Sequence, residues 1–362
     1  MLLEFYGLRE QPFGVTPDPR FLYLSPAYRE ALASLYYWIE SGRGFLGLIA
    51  KPGMGKTTLL FQLLQKCRGN ARTALLCHTQ CSSREFMRFL LAELGSEGDE
   101  KDFVRMHDEL KKLTLQEARA GRSVIVVVDE AQNLHPSVLE TIRLLSNFET
   151  PRAKLLQIIL AGQPQLADKL ASREVSQLRR RISVLNGLSP LSAAENSKYI
   201  VYRLRIAGYS GGPLFAPAAL RAIAQFAEGI PRTINNFCFN ALSLGFALGQ
   251  RAISVAVVEE VISDCDITKH VAEAPSLLPS DRKVDRVPSS RNFSVPCSTA
   301  CTTGNQVDDT LTPDEAKAYM QQFAWKVRVL KRKRCRTPVT APSSQDHDET
   351  VRGIGFDSGG RQ

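Results

Sequence analysis

Long apolar runs are missing from this chain of 362 residues. A helix that crosses a bilayer needs about 20 consecutive, mostly apolar residues, and the longest stretches here, residues 124–128 and 155–162, are far shorter. No transmembrane segment is therefore expected. A secretory leader is not expected either, because Met1-Leu2-Leu3-Glu4 reaches an acid at once and no basic region leads into an apolar one. A cysteine framework is also missing. The eight cysteines are irregularly spaced, with Cys67, Cys238 and Cys265 in helix-like segments, a distribution that argues against a disulfide-stapled secreted fold. Two close groups, Cys77-His78-Thr79-Gln80-Cys81 and Cys297 with Cys301, have no second pair at a zinc-like distance, so structural zinc is not expected. These absences together point to the cytoplasm.

What is present is ordinary for a globular protein: 44% hydrophobic and 23% charged residues. The length suffices for one α/β domain with a sizeable core and something smaller beside it. A net charge of +9 permits contact with nucleic acid or an anionic membrane surface without requiring either.

Residues 45–60 carry the strongest local signal. The strand-like run Phe45-Leu46-Gly47-Leu48-Ile49 turns through Ala50-Lys51-Pro52-Gly53-Met54-Gly55-Lys56-Thr57 into a helix-forming segment beginning at Thr58. Glycines let successive backbone N–H groups face an anion, and the positive end of the following helix points at the same place. This is a phosphate-binding P-loop in which Lys56 would reach the β- and γ-phosphates and Thr57 would hold Mg²⁺. One position departs from the pattern, since the first glycine is Ala50, which fits if its φ is negative.

Further parts of a nucleotide hydrolase follow in order. Residues 123–128 are a β-branched run ending in Asp129-Glu130. A fully apolar strand belongs in the middle of a parallel sheet, and acids at its carboxyl end lie where ligands of open α/β sheets bind. Asp129 is the expected Mg²⁺ partner and Glu130 the base for an attacking water. A second buried strand, residues 155–160, ends in Ala161-Gly162-Gln163-Pro164, which makes Gln163 a candidate to orient that water. In the cluster Gln177-Leu178-Arg179-Arg180-Arg181-Ile182, Arg179 and Arg181 are candidates for an arginine donated across a subunit interface. Arg232, in Gly229-Ile230-Pro231-Arg232, stands at a helix start, where a cation is unfavourable without an anionic partner. A γ-phosphate would supply one.

Other elements frame these motifs. Residues 1–28, with Pro12, Pro17 and Pro19 among interleaved aromatics, predict an ordered irregular strap rather than a helix, either closing over a nucleotide or packing on the domain. Helices are expected over 27–42, from 83, and over 102–120 and 137–148, with strands at 71–78 and 183–188. Helices at 193–207, 217–228, 233–248 and 255–264 make a small bundle or lid. Beyond about residue 267 the apolar periodicity stops, predicting a largely disordered tail. A short helix over 312–330 is expected within it, leading into the basic run 326–336, which suits DNA or an anionic membrane.

Taken together, LEFYGLREQPF, TPDPRFLYLSPAYREAL, KPGMGKTTLL, VIVVVDEAQNL, AGQPQL, QLRRRI and GIPRTIN resemble the bacterial AAA+ ATPases of the general secretion pathway protein A (ExeA-like) family, over residues 1 to about 265. The resemblance implies an α/β P-loop core, a parallel sheet of order 5-1-4-3-2, a C-terminal helical lid, and ATP with Mg²⁺. No Asn-Lys-x-Asp element of the guanine-specific kind is present. The expected division is core 1–188, lid 189–266 and tail 267–362. By the same resemblance the Walker A segment runs from Ala50 through Lys51, Pro52, Gly53, Met54, Gly55, Lys56 and Thr57 to Thr58. Asp129 and Glu130 are Walker B, Gln163 is sensor 1, Arg232 is sensor 2, and Arg179 or Arg181 is the trans finger. A homo-oligomer and a secretion or envelope partner are implied. Secretion-type members typically carry a membrane span and a cell-wall-binding part after the lid, and this chain has neither, which leaves two further readings: a DNA-associated regulator of transposition, similar to the TniB type, and a nucleotide-gated scaffold with little turnover.

Overall fold

Strand β3 (Ser123–Val128) lies inside the sheet, with a strand on each side, because its residues have no polar face to offer. Val124, Val126 and Val128 point to one side of the sheet and Ile125 and Val127 to the other, as the two-residue pleat requires, and each is buried in a separate apolar layer. Around it lie β1 (Phe45–Ile49), β2 (Ala71–Leu76), β4 (Leu156–Gly162) and β5 (Ile182–Gly187). All neighbours are parallel, in the order β2-β3-β4-β1-β5. This is the expected order, written from the other edge. Edge strand β5 alternates between half-buried and exposed residues, while β4 is buried throughout.

The computed structural model describes residues 1–96, 102–151 and 153–264. Expectations for the tail 267–362, its helix 312–330, the basic run 326–336 and the Cys297/Cys301 pair lie outside the described residues. Among those described, no helix is long and apolar enough to cross a membrane.

One face of the sheet is covered by α2 (Pro26–Glu40) and α3 (Lys56–Cys67). The other is covered by α4 (Ser83–Glu93), α5 (Phe103–Arg119), α6 (Pro136–Leu145) and α7 (Pro164–Ala171). A short α8 (Ser176–Arg179) precedes β5, and α9 (Ala193–Ile206), α10 (Pro217–Phe226), α11 (Pro231–Ala247) and α12 (Val255–Asp264) complete the described chain. Two helix starts are written in the sequence as capping boxes. Ser82 with Glu85 opens α4, and Ser192 with Glu195 opens α9, each pair satisfying backbone donors that the first turn leaves unpaired.

The strap differs from expectation. A single helical turn, α1 (Leu2–Tyr6), is closed by Gly7 at φ 69°, and a 3-10 turn spans Pro19–Phe21. The prolines that argued against helix begin at Pro12, leaving the helix-forming Leu-Leu-Glu-Phe-Tyr free to coil until Gly7 stops it. The α1 turn packs on α11: the Tyr6 hydroxyl donates to the Leu242 carbonyl or the Gln250 carbonyl, each at 3.1 Å. The Phe5 ring meets Phe246 edge-on at 5.2 Å. Helices α7 and α8, not anticipated, occupy the stretches read as a strand end and a basic cluster. Pro164 stands at the first position of α7, where its missing N–H costs nothing.

Candidate active site

The turn between β1 and α3 needs two left-handed residues in close succession, and glycine supplies both: Gly53 at φ 77° and Gly55 at φ 78°. Ala50 does not need that freedom. The non-glycine residues with positive φ among those described are Glu130 and Glu228, so Ala50 sits at negative φ, buried, its N–H donating to the Gly162 carbonyl at 3.1 Å. From this turn Lys56 starts α3 with its side chain buried.

Because β1 lies beside β4 and β4 beside β3, their carboxyl ends converge on the P-loop. The Thr57 hydroxyl donates to Asp129 Oδ2 at 2.6 Å. Asp129 is itself buried, and its other oxygen accepts from the Glu130 N–H at 2.9 Å. Glu130 occupies the left-handed region at φ 51°. Its Oε1 lies 3.5 Å from Lys56 Nζ, and its Oε2 accepts from Gln132 Nε2 at 2.6 Å and from Gln163 Nε2 at 3.0 Å. Burial by itself pushes the Glu130 carboxyl up. The hydrogen bonds from Gln132 and Gln163 and the charge of Lys56 together outweigh it and hold the group below the ordinary glutamate value.

A cavity of about 250 Å³ opens above this floor. Gly53, Met54, Gly55, Lys56, Thr57, Thr58, Glu130 and Arg232 line it, whereas Ala50, Lys51, Pro52, Asp129 and Gln163 do not. Gln163 is brought to the site through Glu130. Arg232, second residue of α11, is exposed at the cavity wall, and its backbone N–H donates to the Gly53 carbonyl at 3.1 Å. Arg179 and Arg181 line no part of the cavity. The Arg181 guanidinium donates to Asn147 Oδ1 at 2.8 Å and to Ser146 Oγ. Arg179 is exposed at the end of α8.

The roof of the cavity comes in part from the strap, for which the sequence left open closing over a nucleotide or packing on the domain, and in part from α9 and α11, where no motif pointed to Tyr199, Arg203 or Asn235. Strap residues Val15, Pro17, Phe21 and Tyr23 contribute to it, so the strap both lines the cavity and packs on the fold. Tyr28 donates its hydroxyl to the Met54 carbonyl at 2.5 Å, and burial raises its phenol well above the ordinary tyrosine value. On the far side, Arg203 donates to the Pro12 carbonyl at 2.5 Å and to the Tyr199 hydroxyl at 2.9 Å, with its guanidinium 4.8 Å over the Phe21 ring. Tyr199 donates in turn to Asn235 Oδ1 at 2.8 Å. Arg203 is buried without a carboxylate partner among the described residues. Gln132 was also missed. It stands two residues after Glu130, a spacing that a short turn folds back onto the same carboxylate.

Residues 39–170 match the family model described as an AAA domain. The chain is 38% identical over 254 residues to general secretion pathway protein A of Aeromonas hydrophila, a match covering 70% of this chain and 46% of that protein. It thus spans about half the length of that relative. Among solved structures, the fold is similar to the Aeropyrum pernix ORC2 protein, at 19% identity and TM-score 0.56 over 74% of this chain and 75% of that one. It is also similar to Cdc6p from Pyrobaculum aerophilum, at 16% identity and TM-score 0.56 over 73% and 74%. At these identities the two structures speak for the fold alone.

Proposed function

We propose that this chain, an AAA-domain relative of general secretion pathway protein A, is an Mg²⁺-dependent ATPase that works as a conformational switch in a homo-oligomer. The observation that carries the reading is the 2.6 Å bond from Thr57 to Asp129, which joins the P-loop to the end of β3 beneath a cavity lined by Lys56, Glu130 and Arg232. A hydroxyl and a carboxylate are the hard oxygen donors that suit Mg²⁺, and Thr57 and Asp129 would hold it. Bound there, the ion supplies neutralisation of charge on the β- and γ-phosphate oxygens.

The chain's own residues do the rest. Backbone N–H groups of Gly53, Gly55 and Lys56 bind phosphate oxygens at the start of α3, and Lys56 contacts the β- and γ-phosphates. Glu130 accepts a proton from the water that attacks the γ-phosphorus, while the bond from that phosphorus to the bridging oxygen breaks and the oxygen leaves, with the electron pair, on ADP. Gln163 orients that water. Arg232 reads the γ-phosphate from the start of α11, so that its loss relaxes residues 189–266, the lid, against residues 1–188, the core. Arg179, exposed and uncommitted, is better placed than Arg181 to reach a neighbouring subunit. The kinship with general secretion pathway protein A supports a role in driving a secretion or envelope assembly.

Phosphate release from Mg-ATP tests the chemistry. Lys56→Ala should abolish nucleotide binding, and Glu130→Gln should bind ATP yet turn over at least about 100-fold more slowly. Equal turnover in Glu130→Gln would remove Glu130 as the base. Mass measurement by light scattering with and without ATP tests the oligomer; a monomer under both conditions refutes it.

A further inference from the structure

The two oxygens of Glu130 are held by different parts of the protein. Oε1 faces Lys56 at 3.5 Å, whereas Oε2 is shared by Gln132 and Gln163. Gln132 is used at both ends of its amide: Nε2 donates to Glu130 at 2.6 Å, and Oε1 accepts the backbone N–H of Gln163 at 3.1 Å. Glu130, Gln132 and Gln163 therefore form a closed ring of hydrogen bonds linking the end of β3 to the end of β4.

The fold makes room for this ring and fastens it. A Cβ added at Gly162 would stand 2.7 Å from Gln132 Oε1 and 2.9 Å from Leu166 Cδ2, so only glycine lets the amide lie against the end of β4. The turn Ala131–Asn133 that carries Gln132 is clamped from α7, where Lys169 donates to the carbonyl of Gln132 and, at 2.7 Å, to that of Leu134. Glu130 itself holds a left-handed backbone conformation, which is unfavourable for a non-glycine residue and persists only where its surroundings fix it.

We infer that Gln132 is a positioning residue for hydrolysis: it pins Oε2 of Glu130, leaving Oε1, the oxygen paired with Lys56, as the one that takes the proton of the attacking water. This rests on the ATPase reading. Phosphates entering the cavity draw Lys56 onto themselves and so release Oε1, while Oε2 stays fixed. Nucleotide binding thereby frees one oxygen of the base without freeing its orientation. Gln163 alone, at 3.0 Å and with its backbone N–H no longer tied, leaves the carboxylate able to swing. A displacement of about 1 Å at a reacting group costs on the order of 100-fold in rate.

The test uses the full chain carrying Gln132→Met, which keeps the volume but neither donates nor accepts, and Gln132→Glu, which sets a like charge against Glu130. For both, kcat should fall about 10- to 100-fold, with KM for ATP and the affinity for a fluorescent ADP analogue within about twofold of the original. Hydrogen–deuterium exchange of the Gln163 amide in nucleotide-free Gln132→Met should quicken by about tenfold, the loss of one half-buried hydrogen bond. An unchanged kcat in Gln132→Met reduces Gln132 to packing and overturns the inference, as does unchanged Gln163 exchange. If the unsubstituted chain binds nucleotide without turnover, the ATPase reading falls first, and the exchange measurement still decides whether Gln132 fixes the end of β4.

Discussion

The floor and the roof of the cavity are made in different ways. The floor is set at strand ends: Asp129 and Glu130 follow β3, Gln163 follows β4, and Thr57 meets them from the first turn of α3, after the loop that leaves β1. Each of these strands is an apolar run that had to be buried, so the chemistry sits in short contiguous segments. The roof has no such scaffold. Pro12, Phe21, Tyr199, Arg203 and Asn235 come together through single contacts between residues far apart in sequence, such as Arg203 to Pro12 and Tyr202 to Arg20. Stability in the floor comes from close packing between strands and helices, in the roof from strap and α9 rings packed together with a few polar bonds between distant segments. A floor of this kind tolerates little change in volume, and a roof of this kind little change in hydrogen bonding.

The largest expected effect breaks the floor. Ile125→Ala, at a fully buried position of β3, should cost about 2–5 kcal/mol of stability by urea denaturation, from lost burial and the cavity left behind. A loss below about 1 kcal/mol would mean that the interior of the sheet at β3 is not the rigid part. Next is the roof: Arg203→Met keeps an apolar stem while leaving the Pro12 carbonyl without its donor, and should cost about 1–3 kcal/mol. Its nucleotide affinity should weaken while kcat at saturation stays, and an equal fall in both would erase the distinction between roof and floor. Smaller again is Tyr6→Phe, which removes only the hydroxyl that reaches α11. About 1 kcal/mol is expected, read as a lowered melting temperature.

The smallest effect lies outside both regions and serves as their control. Glu117 of α5 accepts from Arg122 at 2.6 Å and Arg72 at 3.2 Å, and the Arg122 hydrogen bond leads in holding its carboxyl below the ordinary range. A depressed carboxylate stabilises the fold above its unfolded pKa and loses that contribution as pH falls through its folded value. Glu117 is buried, but Arg72 and Arg122 reach solvent. Glu117→Gln, which keeps an accepting amide oxygen there, should therefore cost about 1 kcal/mol at neutral pH, and its stability should converge on that of the original as the pH drops below about 4. A gap that persists in acid would assign the effect to packing.

The same contrast explains what the sequence disclosed. β3 and its two acids are legible because a β-branched run has one place to go, and Ser192 with Glu195 announces α9 by local hydrogen bonding alone. The strand order rested on resemblance and agrees with the structure. Gln132 escaped notice because its role depends on Gly162 lying beside it on another strand, a relation no local spacing encodes. Arg203 reads as one more basic residue on an amphipathic helix until the strap is seen to cover it. The α1 turn was hidden by prolines that begin only at Pro12.

That α1 turn has a consequence for how the protein is made. Tyr6 finds its acceptors at Leu242 and Gln250, 236 and 244 residues later in the chain. At roughly 5–20 residues per second a ribosome takes about 10–50 s to reach them. For that interval the segment Leu-Leu-Glu-Phe-Tyr has apolar side chains and nothing yet to cover them. The nascent chain therefore presents this segment to chaperones until α11 has left the ribosome.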